Sequence, residues 1–265
     1  MTALAPSSPA AVGPLLRRWR GRRRLSQLEL ALEADVSTRH LSFVETGRAN
    51  PSRDMVLRLA EHLEVPLRER NALLLAAGYA PAYPESSLED AELGQVREVV
   101  RRLLAAHEPY PAVAVDRRWE LVDGNAGMPL ITAGAAAHLL APPVNALRLS
   151  LHPEGMAPRI ANLAEWRGHV LGRLRREVAA TQDPQLRALL AELEGYPGGP
   201  DGEETRLGAG AIVVPLRLRH PAGELSFMST VTTFGTPLDI TVSELSIEAF
   251  FPADAHTAAV LRTAA

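Results

Sequence analysis

Residues 27–46, QLELALEADVSTRHLSFVET, constrain this chain more than any other segment. Apolar side chains fall at Leu30, Ala34, Val36, Leu41 and Val44, with the small Ala31 and the turn residue Asp35 between them. Leu30, Ala31 and Ala34 share one helical face, and Leu41 and Val44 begin a second. Faces this short bury nothing unless they fold onto one another, so the stretch predicts a tight helical hairpin. Ala31 marks the crossing, where a larger side chain would hold the helices apart.

The ends carry matching signals. Ser26 followed by Glu29 reads as a capping box, Ser37 caps the second helix, and Gly47 offers the left-handed residue that ends it. With Leu41 and Val44 inward, Thr38, Arg39, His40 and Ser42 are predicted to point outward. Arg39 suits bidentate contact with guanine O6 and N7, and Thr38 presents a methyl or a hydroxyl to a base edge. Gln27, at a helix start with free backbone N–H groups, is a candidate phosphate contact. Ser37, Arg48 and Asn50 border the same surface, and Arg22 and Arg24 belong to an acid-free run of arginines just before it. The partner these side chains suit is double-stranded DNA.

The stretch 25–65 resembles the XRE family, the Cro and phage-repressor type of helix-turn-helix domain. Ser26, Gln27 and Ala31 match its opening motif, and Glu45, Gly47, Pro51 and Ser52 its closing one. The resemblance implies an all-α, five-helix, lambda-repressor-like DNA-binding domain. One departure stands out: the family usually has Gly in the turn where this chain has Asp35, which tolerates positive φ less well.

At 265 residues the chain has room for two domains. The overall charge of −3 hides an asymmetry: residues 1–80 hold 12 Arg against 8 acids, and residues 81–265 hold 16 Arg against 23 acids. The basic half is the one with the hairpin, as a phosphate-binding module requires. Without cysteine, disulfides, thiolate metal sites and Cys nucleophiles are excluded. The eight histidines show no HExxH spacing, and no Gly-rich phosphate loop or G-x-S-x-G elbow occurs, so neither catalysis, a metal nor a cofactor is expected. The start lacks a charged region ahead of its apolar stretch, and the most apolar internal window, 130–144, is too short to span a bilayer. A soluble, cytoplasmic protein with no membrane partner is expected.

Periodicity predicts helices over 12–23, 27–34, 38–46, 53–63 and 67–77, after a disordered tail at 1–10. The DNA-binding domain is placed at 11–78. YAPAYPESS, 79–87, reads as a linker, and 88–265 as a second domain. There a long helix is predicted at 88–107, then a hairpin of short strands around 116–118. A helical stretch follows over 145–178, with the stripe Leu163, Trp166, Val170, Leu174 and Val178, and another helix at 184–194. Beyond a Gly-rich loop, strands are predicted at 211–220, 224–233 and 238–251. Two strands, helices, then three strands describe an α+β domain with an antiparallel sheet.

That order is similar to a PAS domain. Together with LLLAAGYAP, VDRRWELVDGN, LHPEGMAPRIANLAEW and FGTPLDITVSELSIEAFFPAD, the whole chain resembles the MmyB-like transcription regulators with a PAS-like ligand-binding domain. The resemblance implies a regulator whose C-terminal pocket takes a small apolar or fatty-acid-like ligand. Candidate pocket residues on the inner faces are Trp119, Asn125, His152, Asn162, Trp166, His169, Arg173, Phe234 and Phe250. Trp166, His169 and Arg173 stand at i, i+3 and i+7 and would set a polar end beside an apolar wall. A homodimer is expected, since one hairpin reads few base pairs. The competing class is an antitoxin-like DNA-binding module whose C-terminal domain holds a protein partner.

Overall fold

The computed structural model describes residues 11–198 and 213–264. They form two compact units, one running to Ser86 and including Thr236–Ser243, the other comprising Ser87–Gly235 and the chain from Glu244 on. The expected tail at 1–10, most of the Gly-rich loop, and the start of the strand expected at 211–220 lie outside the described residues.

The first unit contains α1 (Val12–Arg22), α2 (Gln27–Glu33), α3 (Thr38–Glu45), α4 (Arg53–His62) and α5 (Leu67–Ala76). Their starts are fixed by side chains. Ser26 and Glu29 close a reciprocal capping box, Ser26 N donating to Glu29 Oε2 at 2.6 Å and Glu29 N to Ser26 Oγ at 3.1 Å. Ser37 Oγ accepts from His40 N at 3.1 Å and Ser52 Oγ from Met55 N at 3.3 Å. Asp35 takes a left-handed φ of +51° in the α2–α3 turn, so that turn has the strain expected where Gly is replaced. Leu16, Leu30, Leu41, Leu59, Leu63 and Leu74 fill the core between the helices. Gly13 brings α1 onto the end of α3, since a Cβ there would lie 2.3 Å from the Val44 carbonyl oxygen.

Residues 79–86 of the expected linker are instead folded onto this unit. Asn71 Oδ1 accepts from the Ala82 and Tyr83 amides, Asn71 Nδ2 donates to Tyr83 O, and Tyr79 Oη donates to Pro51 O at 3.1 Å. Turn-prone composition signals an irregular backbone but not a loose one, because a single asparagine can satisfy three backbone groups.

The second unit contains α6 (Gly94–Ala106), β1 (Ala112–Val115), β2 (Leu121–Gly124), α7 (Met128–Thr132), α8 (Ala146–Leu151), α9 (Leu163–Thr181), α10 (Pro184–Glu194), β3 (Leu216–His220) and β4 (Gly223–Thr233). The short α11 (Ile240–Glu244), β5 (Ser246–Pro252) and α12 (Ala255–Ala264) complete the chain. The five strands form one antiparallel sheet in the order β2-β1-β5-β4-β3. Every residue of β1 is buried because both faces are covered. Val113 and Val115 face the main core with α7 to α10, while Ala112 and Ala114 face Val100 and Leu104 of α6.

Three expectations are corrected. The helix expected at 88–107 begins only at Gly94, behind a 3-10 turn. The helical run expected at 145–178 breaks between α8 and α9, across Pro153, Gly155 and Pro158. The strand expected at 238–251 opens instead with α11, and α7 and α12 had no counterpart in the sequence reading. Ile240, Thr241 and Val242 favour a strand by residue type, but other contacts prevail. Asp239 Oδ2 accepts from Ser86 N at 3.1 Å, Ile240 N donates to Pro84 O at 2.9 Å, and Thr241 Oγ1 donates to Ser86 O at 2.6 Å. This connector between β4 and β5 is thereby built into the first unit.

Candidate functional site

In the first unit, α3 presents Arg39 and His40 exposed, with Thr38 and Ser42 half-buried beside them. The Arg39 guanidinium lies 5.4 Å from the Phe43 ring centroid, which steadies a long side chain without burying its charge. Gly47, at φ +73°, ends α3, and the chain folds back so that Arg48 N and Ala49 N donate to Phe43 O. Arg48 and Asn50 stand exposed on that loop. Between Val36 and Arg53 the sole acid is Glu45, and it is turned inward, so this surface offers cations and neutral donors only.

Glu45, which the sequence analysis places only in the closing motif, has a structural role that it did not assign. Arg20 donates Nε to Glu45 Oε1 at 2.7 Å and Nη2 to Oε2 at 2.9 Å, and Gln27 Nε2 donates to Oε2 at 2.7 Å. Burial pushes the carboxyl up, but the Arg20 and Gln27 hydrogen bonds with the charges of Arg20 and Arg17 outweigh it and hold Glu45 below the ordinary glutamate range. The network ties α1, the start of α2 and the end of α3 together. Gln27, expected at phosphate, thus spends an amide hydrogen on Glu45. The available signal was position: Glu45 follows Leu41 by four residues, on the face that turns inward.

The arginine run divides similarly. Arg20 is internal, and Arg23 caps α4 by donating to Leu63 O at 2.8 Å and Glu64 O at 2.9 Å. Arg22 lies over the Trp19 ring at 4.5 Å, and burial followed by Arg18 lowers its pKa. Arg24 is exposed.

In the second unit, a cavity of about 660 Å³, counting the open space at its mouth, lies between the sheet and the helices across it. Val113, Leu121, Leu216, Glu248 and Phe250 supply the sheet wall. Met128, Ile131 and Thr132 of α7, Ala146, Leu147, Leu149 and Ser150 of α8, and Trp166, His169, Val170 and Arg173 of α9 supply the other. Trp119 sits at the end of the β1–β2 turn with φ +66°, held there as Asp116 Oδ1 accepts from the Arg118 and Glu120 amides at 2.8 Å. A bulky residue in that conformation is strained by about 1–3 kcal/mol. The turn thereby brings the indole to the cavity.

Five of the nine expected pocket residues meet here: Trp119, Trp166, His169, Arg173 and Phe250. The Arg173 guanidinium stacks on Trp119 at 4.2 Å, and Trp119 Nε1 donates to Glu177 Oε2 at 2.8 Å. Trp166 Nε1 donates to Ser150 Oγ at 2.9 Å, and its ring stacks with His169 at 5.6 Å. Burial, then Arg173 and Arg176, hold His169 below its ordinary pKa. Glu248 is pushed up by burial, with Arg173 and Ser229 opposing and Glu177 adding to it. Glu248 and Glu177 were not anticipated.

The other four lie elsewhere. Asn125 stitches backbone, accepting from Ala112 N and donating to Leu104 O and Tyr110 O. Asn162 does the same with Pro215 O and Arg217 N. Phe234 packs against the α6 side of the sheet, opposite the cavity. His152 faces His138 and Tyr196, with its Nδ1 accepting from Glu154 N at 3.0 Å. His138, His152 and Glu154 bring ligand atoms within 4.8 Å of one another. The Glu154 amide already occupies Nδ1 of His152. Among the described residues, no helix is long and apolar enough to cross a membrane.

A five-helix unit whose second hairpin helix presents an outer face without acids, followed by a sheet-and-helix unit around a cavity, defines a helix-turn-helix regulator with its own ligand-binding domain. The family model described as the MmyB-like transcription regulator ligand binding domain matches residues 96–264, and that described as Helix-turn-helix matches residues 16–70. The chain belongs to the MmyB-like transcription regulators, which bind DNA through the first unit and a ligand through the second. It is 30% identical over 110 residues, 41% of this chain and 77% of the relative, to the "Uncharacterized HTH-type transcriptional regulator RghRB" of Bacillus subtilis (strain 168). A solved structure titled "Structure of an RNA-binding Light-Oxygen-Voltage Receptor" aligns at 15% identity over 94% of this chain and 60% of that one, with a TM-score of 0.24.

Proposed function

We propose that this chain is a sequence-specific, homodimeric transcription regulator whose operator affinity is set by a small apolar ligand, with a body the size of a fatty chain, in the second unit. The observation that carries the reading is the cavity, with apolar walls, one polar end and two indoles, in a chain whose other unit exposes a reading helix. In this reading Thr38, Arg39, His40 and Ser42 meet base edges, while Arg24, Ser37, Arg48 and Asn50 meet phosphate, along with Arg22 at the margin. Two copies place their α3 helices about 34 Å apart, one turn of DNA. A ligand shifts operator affinity only by preferring one arrangement of the dimer over the other.

The chain itself supplies a route. β5 carries Glu248 and Phe250 at the cavity and starts two residues after Glu244, directly beyond the connector that is built into the first unit. The test couples three measurements on one preparation: mass spectrometry of small molecules retained through native purification, sedimentation with and without operator DNA, and operator affinity before and after the ligand is stripped. A retained apolar molecule, a dimer on DNA, and an affinity change on stripping are expected. A monomer at working concentration on and off DNA rules out the dimer, and unchanged affinity on stripping rules out ligand control.

A further inference from the structure

The polar end of the cavity has an unusual charge balance for a site that would receive an acid. Among the described residues its one lining cation is Arg173, which already has two carboxylates: Glu177 Oε1 lies 3.3 Å from Nε and Glu248 Oε1 3.7 Å from Nη1. The guanidinium face is covered by Trp119 at 4.2 Å, and the Trp119 N–H is spent on Glu177. Glu248 itself lines the cavity, opposite Val113 in the β1–β5 register and Val231 in the β4–β5 register, so its carboxylate is the acceptor that an incoming head group meets. The groups that act on it are Arg173 and Glu177 from α9 and Ser229 from β4, while His169 lines the same cavity under the influence of Arg173 and Arg176. Burial, then Arg173 and Arg176, all act against a positive charge on His169. A ligand carboxylate would be the third anion on one guanidinium, among Val113, Leu216 and Phe250.

We propose that the cavity takes an amphiphile whose polar end is an uncharged hydrogen-bond donor, a hydroxyl or a primary amide seated on the Glu248 carboxylate, and that it discriminates against the carboxylate of the same chain length. This inference rests on the apolar-ligand reading of the cavity. Donation to Glu248 leaves the Arg173 pairs in place, whereas a carboxylate enters only with a proton, taken up by itself or by Glu248. Wherever both carboxyls are ionised before binding, the uptake of one proton weakens binding of the acid about tenfold for each pH unit, and binding of the alcohol is unaffected.

Calorimetric titration of the full-length protein with decan-1-ol and with decanoate at pH 8, in two buffers of different ionisation enthalpy, tests this. The alcohol is expected to bind at least tenfold more tightly, with about one proton taken up for each decanoate bound and none for decan-1-ol. Glu248→Gln, checked for an unchanged melting profile, should bring the two affinities to within about threefold. Decanoate binding as tightly as decan-1-ol to the wild-type protein overturns the head-group inference while leaving the cavity reading intact. So does an unchanged preference in folded Glu248→Gln, or decanoate binding without proton uptake, which decides the matter alone if that variant does not fold. Binding of neither compound removes the cavity reading and this inference with it.

Discussion

Arg20→Ala puts the largest identified stress on the reading unit without touching its outer surface. The substitution leaves Glu45, whose side chain is 1% exposed, with Gln27 as its remaining side-chain partner. Breaking a buried pair by removing one member destabilises by about 3–5 kcal/mol, because the other charge stays buried and uncompensated. At about 1.4 kcal/mol per factor of ten, the α3 amides should exchange with solvent roughly two to three and a half orders of magnitude faster than in the wild type. Hydrogen exchange read by mass spectrometry on peptides covering α3 measures this directly, since it reports the opening of that element rather than of the whole chain.

The pH dependence gives the reasoning its sign. In the wild type Glu45 lies below the ordinary glutamate value of 4.5, so its contribution is fully present above that value and is lost as pH falls through the lower folded-state value. Without Arg20 the opposing force of burial prevails and the folded-state value rises. The penalty is then full at pH 8 and fades as the pH falls and the carboxyl takes up a proton. The excess exchange, corrected for intrinsic rates, should therefore be larger at pH 8 than at pH 5, and Glu45→Gln in the Arg20→Ala background should recover part of it. A change below tenfold at pH 8, or one equally large at both pH values, refutes the argument.

Arg39→Ala should weaken specific operator binding by about 1–3 kcal/mol and relax base choice at one position. Arg48→Ala should weaken all sequences alike and flatten the salt dependence; salt titrations on operator and random DNA separate the two, and identical behaviour would undo the division of roles. Gly13→Ala sets a Cβ 2.3 Å from the Val44 carbonyl oxygen, so urea unfolding of the first unit should show a loss of about 1–3 kcal/mol. Arg159 Nη1 donates to Leu130 O, Ile131 O and Ala133 O at the end of α7. Arg159→Met should remove about 1.5–3 kcal/mol of local stability, seen as faster exchange across α7 and shorter retention of bound ligand, with operator affinity of the stripped protein unchanged.

The five helices of the first unit were legible to within about a residue because their determinants are local: the apolar stripe, Ser26, Ser37 and Ser52 at the starts, and Gly47 at one end. What escaped was the charge pairing at Glu45. Arg20 and Glu45 are 25 residues apart, and each reads alone as a solvated side chain on an amphipathic helix. In the second unit the same limit appears as element type. β-Branched residues 240–242 describe a strand until Pro84 and Ser86, more than 150 residues earlier, supply the partners that favour a short helix.

The cavity shows why helix spacing located some candidates and residue chemistry alone misplaced others. Trp166, His169 and Arg173 share one face of α9 by helical geometry, so where one reaches the cavity the others follow. Asn125 and Asn162 were chosen as polar groups near the sheet, yet an asparagine carries both donors and an acceptor and is well suited to backbone groups that a hairpin end or a helix start leaves unpaired. Glu248 has the opposite character. A carboxylate only accepts, and the β5 amides beside it are already engaged by β1 and β4, so an inward glutamate on a central strand must be met by Arg173, by Ser229 or by a ligand. Alternation sets Ser246, Glu248 and Phe250 on one face of β5, a signal that the sequence analysis does not use. An acid flanked by apolar residues on an inward strand face therefore points more directly to a binding site than a nearby asparagine or histidine does.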